Sequence, residues 1–129
     1  MRLNHAAFSV NDSEEIENFY EDILGFRLQR KFLMDAAITS KFFGVNKNIE
    51  VYFLEKNSIG LEIFLYPEKR VKIFPHLCFE YFGCKVIYFK AQQRGYKTVV
   101  KINSGGNNTF FIWDKSGNMF ELKEAKKEL

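Results

Sequence analysis

The two histidines of the chain, His5 and His76, occupy equivalent positions in a repeated pattern, and each half of that pattern also carries a glutamate, Glu62 or Glu121. His5 and Phe8 superpose on His76 and Phe79 at an offset of 71 residues, and Gly25-Phe26 on Gly95-Tyr96 at an offset of 70. Glu62 superposes on Glu121 at 59, and at that offset Tyr52-Phe53-Leu54-Glu55 runs over Phe111-Ile112-Trp113-Asp114. Two neutral imidazoles with two carboxylates make a borderline-hard donor set. Such a set suits a divalent cation such as Zn, Ni, Co, Mn or Fe and leaves room for water or substrate oxygens. Cys78, two residues after His76, reads as a thiol in the pocket wall.

For these four side chains to act together, the elements that carry them must turn them the same way. Leu3 to Val10 reads as a strand, and Ser13, Ile16, Phe19, Tyr20, Ile23 and Leu24 give an amphipathic helix ending at Gly25. Strands follow at Phe26 to Leu33, Ile49 to Glu55 and Gly60 to Tyr66, with Lys56 to Ile59 as a hairpin loop. Ala36 to Phe43 reads either way, with a helical turn ending at Gly44 as one solution. The second half repeats the order: strand Phe74 to Phe82, helix Lys85 to Arg94 ending at Gly95, strand Tyr96 to Lys101, then a hairpin of Thr109 to Trp113 and Asn118 to Lys123. Ser104 to Asn108 reads as a flap-like loop, and Asp114 to Asn118 as the turn that sets the register of the strand bearing Glu121.

The expected architecture is therefore α+β, with two βαβββ modules: residues 1–66, then a linker and second module over 67–129. Strand parity groups His5, Ala7 and Ser9 against Ala6, Phe8 and Val10, and His76, Cys78 and Glu80 against Leu77, Phe79 and Tyr81. It groups Glu62, Phe64 and Tyr66 against Leu61, Ile63 and Leu65, and Glu121 with Lys123 against Phe120 and Leu122. All four candidate ligands then fall on the concave, polar side of their sheets.

Composition bounds the alternatives. With 129 residues, 47% hydrophobic and 27% charged, the chain is of a size for one core or two small paired halves, and disorder and coiled coil are excluded as the dominant state. The net charge of +3 is spread among acidic residues, which gives no nucleic-acid stripe, and the tail from Lys123 to Leu129 reads as a frayed terminus. No long apolar run suggests a signal or membrane segment, and two cysteines without a CxxC pair fit a reducing, cytoplasmic setting. Aromatic residues are over-represented at 17%, with 15 Phe and 6 Tyr. Phe8, Phe79 and Phe120 are expected between sheet and helix, while Phe64 and Tyr66 fall on the ligand side.

Three stretches carry a family resemblance: Leu3 to Asp12 with Phe19-Tyr20 and Leu24-Gly25-Phe26; His76 to Glu80; and Trp113 to Leu122. Together they resemble the vicinal oxygen chelate superfamily, which includes glyoxalase I, methylmalonyl-CoA epimerase, extradiol dioxygenases and the fosfomycin and bleomycin resistance proteins. The resemblance implies paired βαβββ modules whose curved sheets form an open, eight-stranded barrel-like arrangement, commonly a homodimer, acting on a small molecule. It also implies metal binding by His5, Glu62, His76 and Glu121, with one divalent ion per site, Zn, Ni, Co or Mn. The His, Glu, His, Glu order is similar to that of glyoxalase I. The implied function is a glyoxalase-like lyase or isomerase that uses metal-assisted proton transfer, with Glu121 as first choice of base and Glu62 as second. An epimerase-like racemase and a non-catalytic ligand-binding protein of the same fold are the alternatives. Glyoxalase I carries an Arg and an Asn that hold the glutamyl end of glutathione, and Ser9 and Tyr66 stand at those positions here. A more apolar or stacked ligand touching Phe64, Tyr66 and Cys78 is expected instead.

Overall fold

The computed structural model describes residues 1–127, and the chain falls into two compact units, Met1–Lys69 and Arg70–Leu129. In the first unit β1 (His5–Val10) leads into a helix at Ile16–Glu21, then β2 (Arg27–Met34), α1 (Ala36–Phe43), β3 (Ile49–Lys56) and β4 (Ile59–Leu65). In the second, β5 (His76–Tyr81), α2 (Cys84–Gln93), β6 (Thr98–Ile102), β7 (Asn108–Trp113) and β8 (Met119–Glu124) follow in order. Each unit forms one open four-stranded sheet, ordered β1-β4-β3-β2 and β5-β8-β7-β6. The architecture is α+β, and the strand, helix, strand, strand, strand order occurs twice. The first and last strands of each unit lie side by side and parallel, because the intervening elements carry the chain back across the sheet.

The helix at Ile16–Glu21 is wound as a π-helix, with the Asp22 amide bonded to the Glu17 carbonyl and Leu24 to Phe19, both at 3.0 Å. An apolar set at 16, 19, 20, 23 and 24 is satisfied by either winding, so periodicity alone did not distinguish them. Ile16, Phe19, Tyr20, Ile23 and Leu24 are all buried. Asp35 caps α1 by accepting the Ile38 amide at 3.0 Å, which resolves the ambiguous stretch 36–43 as a true helix. In the second unit α2 buries Cys84, Ile87, Tyr88 and Ala91, one stripe at helical spacing. Its N-terminal residue Gly83 has no side chain to offer as a cap. Glu124 supplies one instead, accepting the Gly83 and Cys84 amides at 2.8 Å each.

The alternation expected from sequence holds in both units. Val10, Leu61 and Ile63 are fully buried on one face of the first sheet, and Phe120 and Leu122 on one face of the second. Phe79 stacks on Phe120 at 5.9 Å between centroids, which places part of the aromatic excess in the packing layer. Two expectations need correction. Lys123 and Glu124 belong to β8 and Ala125 is buried, its amide bonded to the Tyr81 carbonyl at 3.2 Å, so the tail is ordered through this point; residues 128 and 129 lie outside the described residues. The constant offset between hairpins also fails: Glu62 pairs with Phe53 but Glu121 with Phe111, so β3 maps on β7 at 58 residues while β4 maps on β8 at 59. The connection after β7 holds one residue more at constant register. Because a one-residue slip reverses every side chain, Phe111, not Ile112, shares the face of Glu121, and Ile112 is fully buried.

Candidate functional site: a histidine and a glutamate on one sheet face in each unit

In the first unit β1 and β4 run parallel with Ala7 opposite Glu62, and His5 precedes Ala7 by the two residues that return a strand to the same face. His5 Nε2 lies 4.0 Å from Glu62 Oε2. The second unit repeats this arrangement: Cys78 is opposite Glu121, His76 precedes it by two, and His76 Nε2 lies 3.6 Å from Glu121 Oε1. Both histidines are about two-fifths exposed, at 40% and 39%, and both carboxylates are more covered, at 19% and 17%. The pairs are thus open to a ligand from the imidazole side.

Gly60 explains how β1 reaches this position. It is registered with His5, and a Cβ added there would come within 2.8 Å of the Asn4 carbonyl oxygen and 3.1 Å of both His5 Cβ and Phe53 Cζ. Only a residue without a side chain lets the start of β1 lie so close. Sequence reasoning missed Gly60; its place opposite the first histidine was the signal.

The other ring nitrogens are committed. His76 Nδ1 lies 2.8 Å from the Phe74 carbonyl oxygen, and His5 Nδ1 lies 2.9 Å from Asn4 Oδ1. A carbonyl oxygen only accepts, so a neutral imidazole must carry its proton on Nδ1 and present a lone pair at Nε2. In that neutral form each lone pair faces a carboxylate oxygen, and two electron-pair donors face one another. A cation, whether a metal ion or a proton on Nε2, resolves that repulsion. Two ligands about 2.1 Å from a tetrahedral ion lie about 3.4 Å apart, close to the observed 3.6 and 4.0 Å. The donor chemistry therefore fits a divalent metal. Within each unit the candidate ligands come as a pair, and among the described residues no three His, Cys, Asp or Glu side chains are grouped closely enough to hold an ion.

The surroundings of the two pairs differ. Glu121 is held from its other oxygen by Cys78, whose thiol donates to Oε2 at 3.4 Å, and by Lys123, with Nζ 3.6 Å from Oε2. Burial and the adjoining Glu121 carboxylate push the Cys78 thiol up from its ordinary value. Glu62 has the Phe53 ring across the strand and, along its own strand, Phe64, which meets Phe43 of α1 edge-on at 5.3 Å. Tyr66 lies just past β4; its hydroxyl donates to Glu68 Oε2 at 2.6 Å and Lys47 Nζ sits 5.7 Å over its ring. The second unit also contains a cavity of about 740 Å³ whose lining includes Glu80, Lys123, Asn103, Gly106 and Asn107. The loop expected to act as a flap forms one side of it. Asp114 organises the following turn, accepting from Ser116 N at 2.9 Å and from Asn118 N and Nδ2 at 2.8 Å each.

Among known proteins, the sequence model of the Glyoxalase/Bleomycin resistance protein/Dioxygenase superfamily matches residues 2–122. A glyoxalase family protein from Enterococcus faecalis has a similar structure, with a TM-score of 0.73 and 23% identity over 95% of this chain and 97% of that one. The fosfomycin resistance protein FosX from Listeria monocytogenes is similar at a TM-score of 0.74 and 13% identity, over 98% and 94% of the two chains. A glyoxalase/bleomycin resistance protein/dioxygenase from Alicyclobacillus acidocaldarius gives 0.63 and 24%, over 95% and 90%. No curated protein sequence matches this chain. No helix among the described residues is long and apolar enough to cross a membrane.

Proposed function

Given that this chain belongs to the Glyoxalase/Bleomycin resistance protein/Dioxygenase superfamily, we propose that it is a divalent-metal lyase or isomerase acting on a small oxygen-chelating substrate, with His5, Glu62, His76 and Glu121 as ligands. The observation that carries this reading is that each imidazole has Nδ1 within hydrogen-bond distance of an amide or carbonyl oxygen and turns Nε2 toward a carboxylate. Metal-binding histidines are oriented in this way by an acceptor on their far nitrogen.

When bound, the cation supplies positive charge that stabilises the negative charge developing on substrate oxygens as the adjacent carbon gives up a proton. The chain supplies the groups that move that proton. Glu121 is the base, and its second set of partners supports the role: Cys78 Sγ and Lys123 Nζ give the carboxylate a defined position when it is not acting as a ligand. Glu62 is the second choice for the same role. Phe64 and the Cys78 thiol line the substrate space, and Tyr66 joins them through its ring while Glu68 holds its hydroxyl. The aromatic lining and the absence of glutathione-holding residues at Ser9 and Tyr66 favour a substrate other than a glutathione adduct. The free thiols Cys78 and Cys84 suit a cytoplasmic protein, and a homodimer is the expected assembly.

Metal stoichiometry tests the reading. One ion per chain, lost in both His5→Ala and His76→Ala, supports a four-ligand centre. Two ions per chain, each lost with one histidine, or none at all, overturns it. Glu121→Gln should retain metal and lose turnover; full turnover in that variant removes Glu121 as the base.

A further inference from the structure

Register continues the row of the first pair across the whole first sheet: Ala7 is opposite Glu62, Glu62 opposite Phe53, and Phe53 opposite Arg30. Arg30 therefore stands on the face of His5 and Glu62, two strand spacings from Glu62, about 10 Å away along the sheet. A bulge at Gln29 interrupts the pairing between Leu28 and Arg30. The guanidinium lies 4.5 Å over the Phe53 ring and 5.9 Å from that of Phe32. The same Phe53 ring meets His5 at 6.5 Å, edge to face. One ring thus joins the arginine to the candidate ligand pair.

The charge of Arg30 is not spent on the protein. Its neighbour Lys31, on the opposite face, pairs with Glu50 at 3.3 Å, and Glu50 also accepts from the Tyr52 hydroxyl at 2.9 Å. Among the described residues Arg30 has no carboxylate partner, only the aromatic platform. The ring contact holds the guanidinium carbon over Phe53, and an arginine without a carboxylate partner can bind a carboxylate or phosphonate through two parallel hydrogen bonds. The second unit has no counterpart, since the residue opposite Phe111 is Val99.

We propose that Arg30 is a specificity-determining residue that binds an anionic oxyacid group of the substrate, a carboxylate or phosphonate a few bonds from the oxygens that chelate the metal. The proposal rests on the metal-centre reading above. It adds to the aromatic lining a fixed cationic end, so the substrate is an anion with an apolar middle.

Calorimetry on Zn²⁺-loaded protein, together with NMR of the Arg30 Nε–H signal, tests it. The probes are 2-hydroxyglutarate and 2-hydroxy-4-phosphonobutyrate, each with a chelating head and a distal anion, and 2-hydroxyvalerate, which has the head alone. Wild type should prefer at least one distal anion over 2-hydroxyvalerate, and which of the two it prefers identifies the anion. Arg30→Met should weaken that probe by about tenfold or more, leave 2-hydroxyvalerate within about twofold, and leave Zn²⁺ content unchanged. Arg30→Lys should recover only part of the loss, because an ammonium keeps the charge without the fork. Equal effects on all probes, no effect, or no preference in wild type overturns the proposal. Failure of the metal reading appears separately, as unchanged Zn²⁺ affinity in His5→Ala and His76→Ala with Arg30 intact.

Discussion

Replacing Gly60 by alanine tests whether the first histidine is placed by backbone approach. The added Cβ would lie 2.8 Å from the Asn4 carbonyl oxygen, whereas ordinary contact begins at 3.4 Å, so that oxygen must retreat by about 0.6 Å, and His5 Cβ and the Phe53 ring by about 0.3 Å each. The first obstacle is main chain and cannot rotate away. Overpacking of this kind costs about 1–3 kcal/mol, a fall in Tm of roughly 4–12 °C for a chain of this size. Because the displaced carbonyl belongs to the residue preceding His5, the imidazole moves with it, and metal affinity should drop about tenfold, as for lost support of a ligand. Gly105→Ala is the control, since its Cβ would meet nothing within 4 Å and the residue has no positive φ. Differential scanning calorimetry and competitive metal titration read the two effects. A Gly60→Ala protein with wild-type Tm refutes the crowding argument, and one that is destabilised yet binds metal normally refutes the link to His5.

Three further substitutions probe the supports of the site. Asn4→Ala removes the acceptor that faces His5 Nδ1 and should weaken metal binding about tenfold; unchanged affinity in a competition titration would mean that Asn4 does not orient the ring. Asp114→Ala leaves the amides of Ser116 and Asn118 without that acceptor in a turn where Asp114 is 5% exposed. Urea unfolding should register a loss of about 2–4 kcal/mol, and a loss below about 1 kcal/mol would count against the turn as an anchor of β8. Glu124 caps α2, and the amides of Cys84 and Gly83 hold its carboxyl below its usual value of 4.5. A group depressed in the folded state contributes stability above its unfolded value and loses it as pH falls through the folded one. Glu124→Gln should therefore cost at most about 1 kcal/mol near neutrality, with the side chain largely solvated. That difference should vanish on acidification well below 4.5; a constant difference across pH would show that the charge is irrelevant.

How much of this was legible in the sequence follows from which signals are local. Alternation along β1, β4, β5 and β8 was enough to put His5, Glu62, His76 and Glu121 on the faces opposite the buried Val10, Leu61, Ile63, Phe120 and Leu122, because a period of two has only two phases. Helix type was not legible, since the apolar set from Ile16 to Leu24 suits both an α and a π winding. The β3 to β7 correspondence was misjudged by one residue because both hairpins are aromatic-rich, so residue type did not reveal the extra residue after Trp113. The tail looked frayed from its charges, yet the Glu124 carboxylate satisfies the start of α2, 40 and 41 residues earlier in the chain. Such long-range capping leaves no local trace. Gly60 and Arg30 were overlooked for the same reason, as their meaning lies in what stands opposite them.

The two units share a topology and a His/Glu pair, yet what surrounds each pair has diverged. The row through Glu62 reads Ala7, Glu62, Phe53 and Arg30, while the row through Glu121 reads Cys78, Glu121, Phe111 and Val99. The repeat gives equivalent candidate ligands, but with equivalent surroundings the proposed site would accept a substrate equally well in either direction. Under the proposed proton transfer, a substrate with unlike ends must bind in one orientation, so that the atom that loses the proton lies by the base. An arginine at one end of one row and a valine at the matching place in the other break that equivalence with a charged group. Lys123, which pairs with Glu121, and Phe64, its counterpart by sequence offset beside Glu62, break it again with opposite polarity. The asymmetry is thus concentrated in the residues around the candidate ligands and absent from the candidate ligands themselves, the distribution that the proposed substrate with two unlike ends requires.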